Sequence, residues 1–267
     1  MPRIPISDLD DPRVAHYRHL KPTNRTRRSG VFVVEGETLV DRLLASEFPT
    51  VSVLSTERFE RRIAPKVPED IPLLVVPDDR IEDLIGYHFH RGVLACGGAR
   101  DWPDLDSILQ ARGPRATLVI CPTLDKPDNL GSILRIGDAF GVDAVVVGKA
   151  CPEALSRRVI RVSMGAAFRL PVFVEDDLPS LVDRLRRDHG LGLIAADAHP
   201  DAEPLDRASR PDRLGIVLGS EATGLDDTWL ARVDRRVTIP MRPGADSLNV
   251  AVAAGIFLHH YTRSDLG

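Results

Sequence analysis

The sequence predicts an α/β protein in two consecutive blocks, the second of them a three-layer domain built on a parallel sheet. Short runs rich in Val, Ile and Leu alternate with amphipathic helical patterns along the chain, an order typical of α/β folds. Several runs in the C-terminal half are apolar at every position, as expected for parallel strands buried on both faces. In such a domain, ligands bind at the carboxyl ends of the strands.

The first block, residues 1–99, combines a basic N-terminal arm with a small α/β sandwich of three layers. Strands are predicted over 31–36, 50–55, 71–77 and 91–98, and helices over 38–46 and 78–86. Prolines, a glycine and charges then indicate a linker over 100–113, with a short helical pattern in LDSILQA.

The second block covers 114–267. Its predicted strands are 116–122, 143–148, 170–175, 191–198, 213–220 and 235–241. Its predicted helices are 129–141, 153–165, 178–190, 226–233 and 247–263. The last helix is small and apolar on almost every side, so it is expected to be buried against the sheet or against another subunit.

Composition restricts how the protein can bind nucleic acid. Aromatic residues make up 5% and the net charge is −4, which argues against base stacking on aromatic rings and against a uniformly basic surface. Residues 12–34 nevertheless contain no acid. This stretch is either a solvated basic arm or a phosphate-binding surface. In the second case, the residues that bind nucleic-acid phosphates are Arg18, Lys21, Arg25, Arg27 and Arg28.

The three cysteines lack CxxC spacing, which indicates a reduced cytoplasmic protein. His88 and His90 have no second ligand group near them in the sequence, so no metal site is expected. The first residues lack an apolar run, and no run reaches the ~20 residues of a membrane helix. We therefore expect neither a signal peptide nor a membrane partner.

Polar residues follow three of the predicted strands. Asp128 and Asn129 are predicted to cap a helix that carries Arg135, although this could be a plain cap and a surface charge. Gly219, Ser220 and Glu221 form a turn directly after a buried strand, and Ser247 is the predicted N-cap of the last helix, with Asn249 beside it. No GxGxxG motif is present, which excludes the usual nicotinamide site.

Taken together, the segments DNLGSILRIGDAFG, LGIVLGSEATGL with VTIPM, and DSLNVAVAAGI resemble the SpoU (TrmH-like) branch of the SPOUT RNA methyltransferases. RVSMGAAFRLPVF is similar to the segment between these motifs, and RTRRSGVFVVEGETLV to an L30e-like domain that binds the substrate. The resemblance implies an S-adenosyl-L-methionine cofactor, a homodimer, and a deep trefoil knot in the C-terminal segment from about 191 onward.

The resemblance also implies roles for individual residues. The implied catalytic residues are Asn129, Arg135, Glu221, Ser247 and Asn249. The implied cofactor-binding residues are Asp197, Gly219, Ser220, Ile239, Met241, Leu248 and Asn249. Three departures from the family pattern stand out: Lys126-Pro127-Asp128 in place of an Asp-Pro pair, Ala222 in place of glycine, and HFHRGVLA without a preceding Pro-Gln.

The implied reaction is methyl transfer to a ribose 2′-hydroxyl of rRNA or tRNA, with rRNA favoured as the partner. Arg135 could act as the base or as an electrostatic clamp, and a guanidinium holds its proton tightly in proteins. Two other classes stay open: a non-catalytic RNA-binding protein on the same scaffold, and a small-molecule α/β enzyme. The second class would need neither the first block nor the basic arm.

Overall fold

The computed structural model describes residues 3–20, 30–220, 223–242, 244 and 247–263. The chain divides into two compact units. The first comprises Met1–Asp101 and Leu155–Phe168, and the second comprises Trp102–Ala154 and Arg169–Gly267. The segment Leu155–Phe168, which lies within the second predicted block, therefore packs with the first unit.

The first unit contains a five-stranded mixed sheet. Its strands are β1 (Arg3–Pro5), β2 (Val31–Glu35), β3 (Thr50–Thr56), β4 (Leu73–Val76) and β5 (Val93–Gly98). The order across the sheet is β1-β4-β3-β5-β2. β4 pairs in parallel with β1 and β3, whereas β5 pairs antiparallel with β3 and β2.

Helices cover both faces of this sheet, which gives the predicted three layers. They are α1 (Glu37–Leu44), α2 (Glu57–Ile63) and α3 (Ile81–Ile85), with 3-10 turns at Pro12–Tyr17 and Ala64–Lys66. One core joins the Pro12–Tyr17 turn and α3 to the sheet around Tyr17, Leu54 and Leu94. Because side chains alternate along a strand, the other face is left for α1 and α2.

The segment Leu155–Phe168 adds a short helix to the first unit. It contains α6 (Arg157–Val162) and a 3-10 turn at Ala166–Phe168. The Arg157 guanidinium donates to the carbonyl oxygen of Leu20 at 2.6 Å and to the hydroxyl of Tyr87 at 2.8 Å. The ring of Phe168 stacks on that of Phe32, with 5.7 Å between centroids.

The second unit contains a seven-stranded parallel sheet. Its strands are β6 (Ala116–Cys121), β7 (Ala144–Gly148), β8 (Val172–Glu175), β9 (Gly192–Ala196), β10 (Glu203–Pro204), β11 (Arg213–Val217) and β12 (Arg235–Thr238). The order is β10-β12-β9-β11-β6-β7-β8. The mixed α/β class and the parallel sheet predicted from the sequence are thus confirmed.

Helices also cover both faces of the second sheet. They are α4 (Leu105–Ala111), α5 (Pro127–Ala139), α7 (Leu178–His189), α8 (Asp227–Leu230) and α9 (Val250–Thr262). α4, α7 and α8 share a core with β6, β7 and β9. α5 packs against α9, which also contacts β9. Within the described residues, no helix is long and apolar enough to cross a membrane.

Two predicted helix caps are wrong. α5 begins at Pro127, so Asp128 and Asn129 lie in its first turn and Lys126 occupies the N-cap. Proline suits this first helical position because it has no N–H that would need a partner. The N-cap of α9 is Asn249 and not Ser247, because the Asn249 side chain accepts from the backbone N–H groups of Ala251 and Val252.

Candidate active site

A cavity of about 370 Å³ opens at the carboxyl ends of three neighbouring strands of the second sheet, β9, β11 and β12. Its walls continue into the first turns of α9. All seven residues that the sequence implied for cofactor binding line it: Asp197, Gly219, Ser220, Ile239, Met241, Leu248 and Asn249. Parallel strands end at one edge of a sheet, which explains how loops far apart in the sequence meet here.

The loop after β11 is tightly closed on itself. The backbone groups of Ser220 and Gly224 exchange two hydrogen bonds, of 3.2 and 2.9 Å. A Cβ on Gly219 would lie 2.3 Å from the carbonyl carbon of Gly224, so only glycine fits this position. Glycine at this position, which the resemblance implies to bind the cofactor, is thus already required by the packing of the loop itself.

Asp197 is a paired carboxylate in the cavity wall. Its Oδ2 accepts from Nε of Arg236 at 2.6 Å, and its Oδ1 accepts from the backbone N–H of His199 at 3.0 Å. Arg236 lies on β12, the neighbour of β9. The ion pair therefore fixes the loop after β9 against the adjacent strand.

Asn249 connects the cavity to the start of α5. Its Nδ2 donates to Oδ1 of Asn129 at 3.0 Å, while its own Oδ1 caps α9. Asn129 is 6% exposed, and its Nδ2 has no hydrogen-bond partner among the residues that the structure describes. A buried amide donor without a partner costs about 1–3 kcal/mol unless a ligand satisfies it. The pair thus presents one free donor beside the cavity.

The other implied catalytic residues are distributed unevenly. Ser247 is exposed and lines the cavity. Arg135 is exposed on α5 and is not among the cavity residues. Glu221, like Ala222, lies outside the described residues.

Most of the basic arm also lies outside the described residues, including Lys21, Arg25, Arg27 and Arg28. Arg18 is described, and its guanidinium donates to the carbonyl oxygens of Leu9 and Asp11 at 2.7 and 2.8 Å. These bonds hold the N-terminal segment in place, and they use two of the three nitrogens of the Arg18 guanidinium.

Sequence reasoning missed several wall residues. Val250, Ala253 and Phe257 come from one face of α9, and their spacing of three and four residues could have identified them. Lys126 was noted only as a departure from a family pattern, yet it also lines the cavity. Its position directly after a strand-end loop is the signal that could have found it.

The comparisons with known proteins assign the family. The model of the SpoU rRNA Methylase family matches residues 116–259, more than half of the chain. The chain belongs to the SpoU family. The matched region begins at the first residue of β6 and ends within α9, so it contains the whole cavity.

Relatives of this SpoU chain extend beyond the matched region. An uncharacterized tRNA/rRNA methyltransferase of Mycobacterium tuberculosis is 34% identical over 271 residues, covering 97% of this chain and 91% of the relative. The 23S rRNA (guanosine(2553)-2′-O)-methyltransferase of Bacillus subtilis is 27% identical, with 96% and 98% covered. The crystal structure of the SpoU methyltransferase AviRb from Streptomyces viridochromogenes in complex with AdoMet has a TM-score of 0.77 and 25% identity, covering 92% of this chain and 95% of that one.

Proposed function

We propose that this SpoU protein transfers a methyl group from S-adenosyl-L-methionine to a ribose 2′-hydroxyl of rRNA. The observation that supports this most is the cavity at the carboxyl ends of β9, β11 and β12, lined by every residue implied for the cofactor. The Bacillus subtilis relative, named as a 23S rRNA 2′-O-methyltransferase, supports both the acceptor atom and the RNA class.

The cavity wall fits this cofactor. Leu218, Ile239, Leu248 and Phe257 give it an apolar surface for the adenine and the methionine chain, and Ser220, Ser247 and Asn249 add polar side chains. Its volume is within the usual range for small-molecule sites, roughly 300–1,000 Å³. When bound, the cofactor supplies an activated methyl group on a positively charged sulfur.

Asn249 and Asn129 hold the methyl-transfer end of the cavity in place. Asn249 fixes the amino end of α9 as its cap and orients Asn129 through their hydrogen bond. The Nδ2 of Asn129 is buried and has no partner among the described residues, so it is the donor that we assign to an oxygen of the substrate. The bond from Asn249 already fixes the orientation of this amide, and the donor must become accessible when the RNA binds.

Arg135 acts as a clamp in this proposal. A protonated guanidinium binds an RNA phosphate with two parallel hydrogen bonds and stabilises negative charge as it develops on the 2′-oxygen. The resemblance to the family assigns the orientation of this guanidinium to Glu221. With the cofactor held by the cavity residues, the 2′-oxygen would accept its methyl group, leave a neutral thioether behind and release the hydroxyl proton to solvent. Selectivity for RNA follows from the acceptor, because DNA has no 2′-hydroxyl.

The proposal also covers the chain threading of the C-terminal segment and the role of the N-terminal domain. We infer that the segment from about 191 onward is threaded as a deep trefoil knot, and that residues 1–99 form an L30e-like RNA-binding domain joined by a 100–113 linker. The crossed strand order, with β11 between β9 and β6, supports the first inference. The mixed sheet with helices on both faces supports the second.

A homodimer formed through α9 is the proposed assembly. Val252 and Ile256 on α9 are 51% and 37% exposed, and Leu248 before the helix is 38% exposed. Within α9, a spacing of four residues puts Val252 and Ile256 in one apolar stripe, and the exposed Leu248 precedes this stripe in the chain. A stripe of this kind on a protein surface is typical of an interface.

The decisive experiment maps 2′-O-methyl groups in total RNA from cells with and without this protein. A ribose in rRNA that loses its methyl group in the deletion, and regains it on complementation, is the expected result. Unchanged maps in all RNA classes, together with no methyl transfer to deproteinised rRNA in vitro, would contradict the proposal. A methyl group lost from tRNA alone would contradict the choice of rRNA.

A further inference from the structure

We propose that Lys126 binds a backbone phosphate of the RNA at the rim of the cofactor cavity, and that this contact couples RNA binding to cofactor binding. The proposal rests on the proposed function and names a substrate contact for the same site. It starts from the charges in the cavity wall.

Among the residues that the structure describes, two ionisable ones line the cavity, Lys126 and Asp197. Asp197 is neutralised by Arg236 at 2.6 Å. Lys126 is exposed and forms no ion pair or hydrogen bond through its ammonium within the part of the chain that the structure describes. Among the described residues of the wall, Lys126 is therefore the one positive charge without an acidic partner.

The surroundings of Lys126 favour an anion. Lys126 is the N-cap of α5, a helix of 13 residues, and the amino end of a helix carries partial positive charge. In the first turn of the same helix, the buried Asn129 has an amide Nδ2 that finds no partner within the described ranges of the chain. An ammonium, a helix amino end and a free amide donor are the groups that bind phosphate oxygens in proteins.

Charge balance favours an RNA phosphate over the carboxylate of the cofactor. S-adenosyl-L-methionine carries a sulfonium, an ammonium and a carboxylate, so its net charge is positive. An uncompensated lysine in the wall repels this cofactor and is indifferent to the neutral product S-adenosylhomocysteine. A phosphate from the RNA cancels the lysine charge, so each ligand favours binding of the other, as linkage requires.

The test compares Lys126→Gln with Lys149→Gln and Lys126→Arg. Lys149 is an exposed lysine of the same unit that pairs with Asp176 at 3.1 Å, so its substitution controls for loss of surface charge. The probe is deproteinised total rRNA from cells that lack the protein. The measurements are rRNA affinity against salt, and calorimetric affinities for S-adenosyl-L-methionine and S-adenosylhomocysteine without RNA.

Lys126→Gln is expected to weaken rRNA binding about two- to tenfold and to lower the log–log salt slope by about 0.7. Without RNA it binds S-adenosyl-L-methionine about two- to fivefold tighter at low salt, with S-adenosylhomocysteine unchanged. Lys126→Arg keeps the RNA affinity, and Lys149→Gln behaves as wild type.

Two results would overturn the proposal. If Lys126→Gln weakens both small ligands equally and leaves rRNA affinity intact, the lysine binds the cofactor carboxylate. If all affinities and the salt slope stay at wild-type values, Lys126 is a solvated side chain. Failure of the proposed function is separate, since the wild-type protein would then transfer no methyl group to any RNA.

Discussion

The side-chain amide of Asn249 donates a 3.0 Å hydrogen bond to the side-chain oxygen of Asn129, which lies 120 positions earlier in the chain. The same Asn249 side chain caps α9 through its oxygen. One residue therefore stabilises a helix and orients a buried amide beside the candidate site, and these two roles can be separated by substitution.

Asn249→Ala removes both roles. Loss of the cap is expected to lower the free energy of unfolding by about 0.5–2 kcal/mol, and loss of the bond to Asn129 to reduce methyl transfer. Asn249→Ser keeps a capping oxygen, so it restores stability but not turnover. Asp177→Ala, which removes the cap of α7 far from the cavity, provides the control for stability alone. Full activity of Asn249→Ser in single-turnover assays would contradict the orienting role.

Arg135→Ala tests the clamp. Because Arg135 does not line the cavity, cofactor affinity is expected to stay at the wild-type value. The single-turnover rate at saturating RNA should fall by on the order of 10² or more, the scale of one lost electrostatic contact in a transition state. Arg187→Ala removes an exposed arginine of the same unit and should leave the rate unchanged. A normal rate for Arg135→Ala would show that the role implied by the family does not apply here.

The basic arm can be tested apart from the cavity. Replacing Arg25, Arg27 and Arg28 together by alanine should weaken RNA binding and reduce the log–log salt slope by roughly 0.7–0.9 for each lost phosphate contact. Cofactor affinity should not change, because the cavity residues all belong to the other unit. Wild-type RNA affinity and salt slope in this variant would show that the arm is only a solvated surface.

The proposed dimer depends on the exposed stripe of α9. Val252→Glu and Ile256→Glu place charges in an interface that excludes water, so either variant should dissociate to a mass near 29.3 kDa in light scattering. Val174→Glu is the matched control, since Val174 is 43% exposed on β8 of the same unit. A wild-type protein that is monomeric at every concentration would refute the dimer.

The ionisation of Asp106 should make the thermal stability of the protein depend on pH in the acid range. Hydrogen bonds from Arg184 and then His189 hold the pKa of its carboxyl below the ordinary value of 3.8. A lowered native pKa means that the carboxylate stabilises the fold at neutral pH, and that this contribution is lost as pH falls through the native pKa. Asp106→Asn should therefore lower the melting temperature at pH 7, with a gap to wild type that narrows in acid. Asp188→Asn, at an exposed pair, should match wild type throughout.

Much of the second unit could be predicted because its central strands are apolar on both faces and helices such as α7 are amphipathic. The pattern LDSILQA matches α4 residue for residue. β1 and β10 were missed because strands of three and two residues carry no periodic signal. The strand order β9-β11-β6 could not be predicted from local sequence patterns either, because long-range packing determines which strands are neighbours.

The sequence was sufficient to predict which loops form the candidate site, but not which side chains in them contact one another. Cavity residues such as Asp197 and Ile239 follow strands, so their common edge could be inferred. Ser247 and Asn249 can both cap a helix, and only the backbone geometry decides between them. The pairing of Asn249 with Asn129 and the free charge of Lys126 depend on tertiary placement, which no spacing in the sequence encodes.

Leu155–Phe168 has a consequence for attempts to dissect the protein. The chain leaves the first unit after Asp101, returns to it for these residues, and leaves again. If the chain is cut in the linker, the C-terminal fragment keeps Arg157 and Phe168. Their partners Leu20, Tyr87 and Phe32 remain in the N-terminal fragment. Neither half would then be a complete folding module, so heating should melt the intact chain in one cooperative transition, and a proteolytic nick near residue 103 should leave both pieces associated.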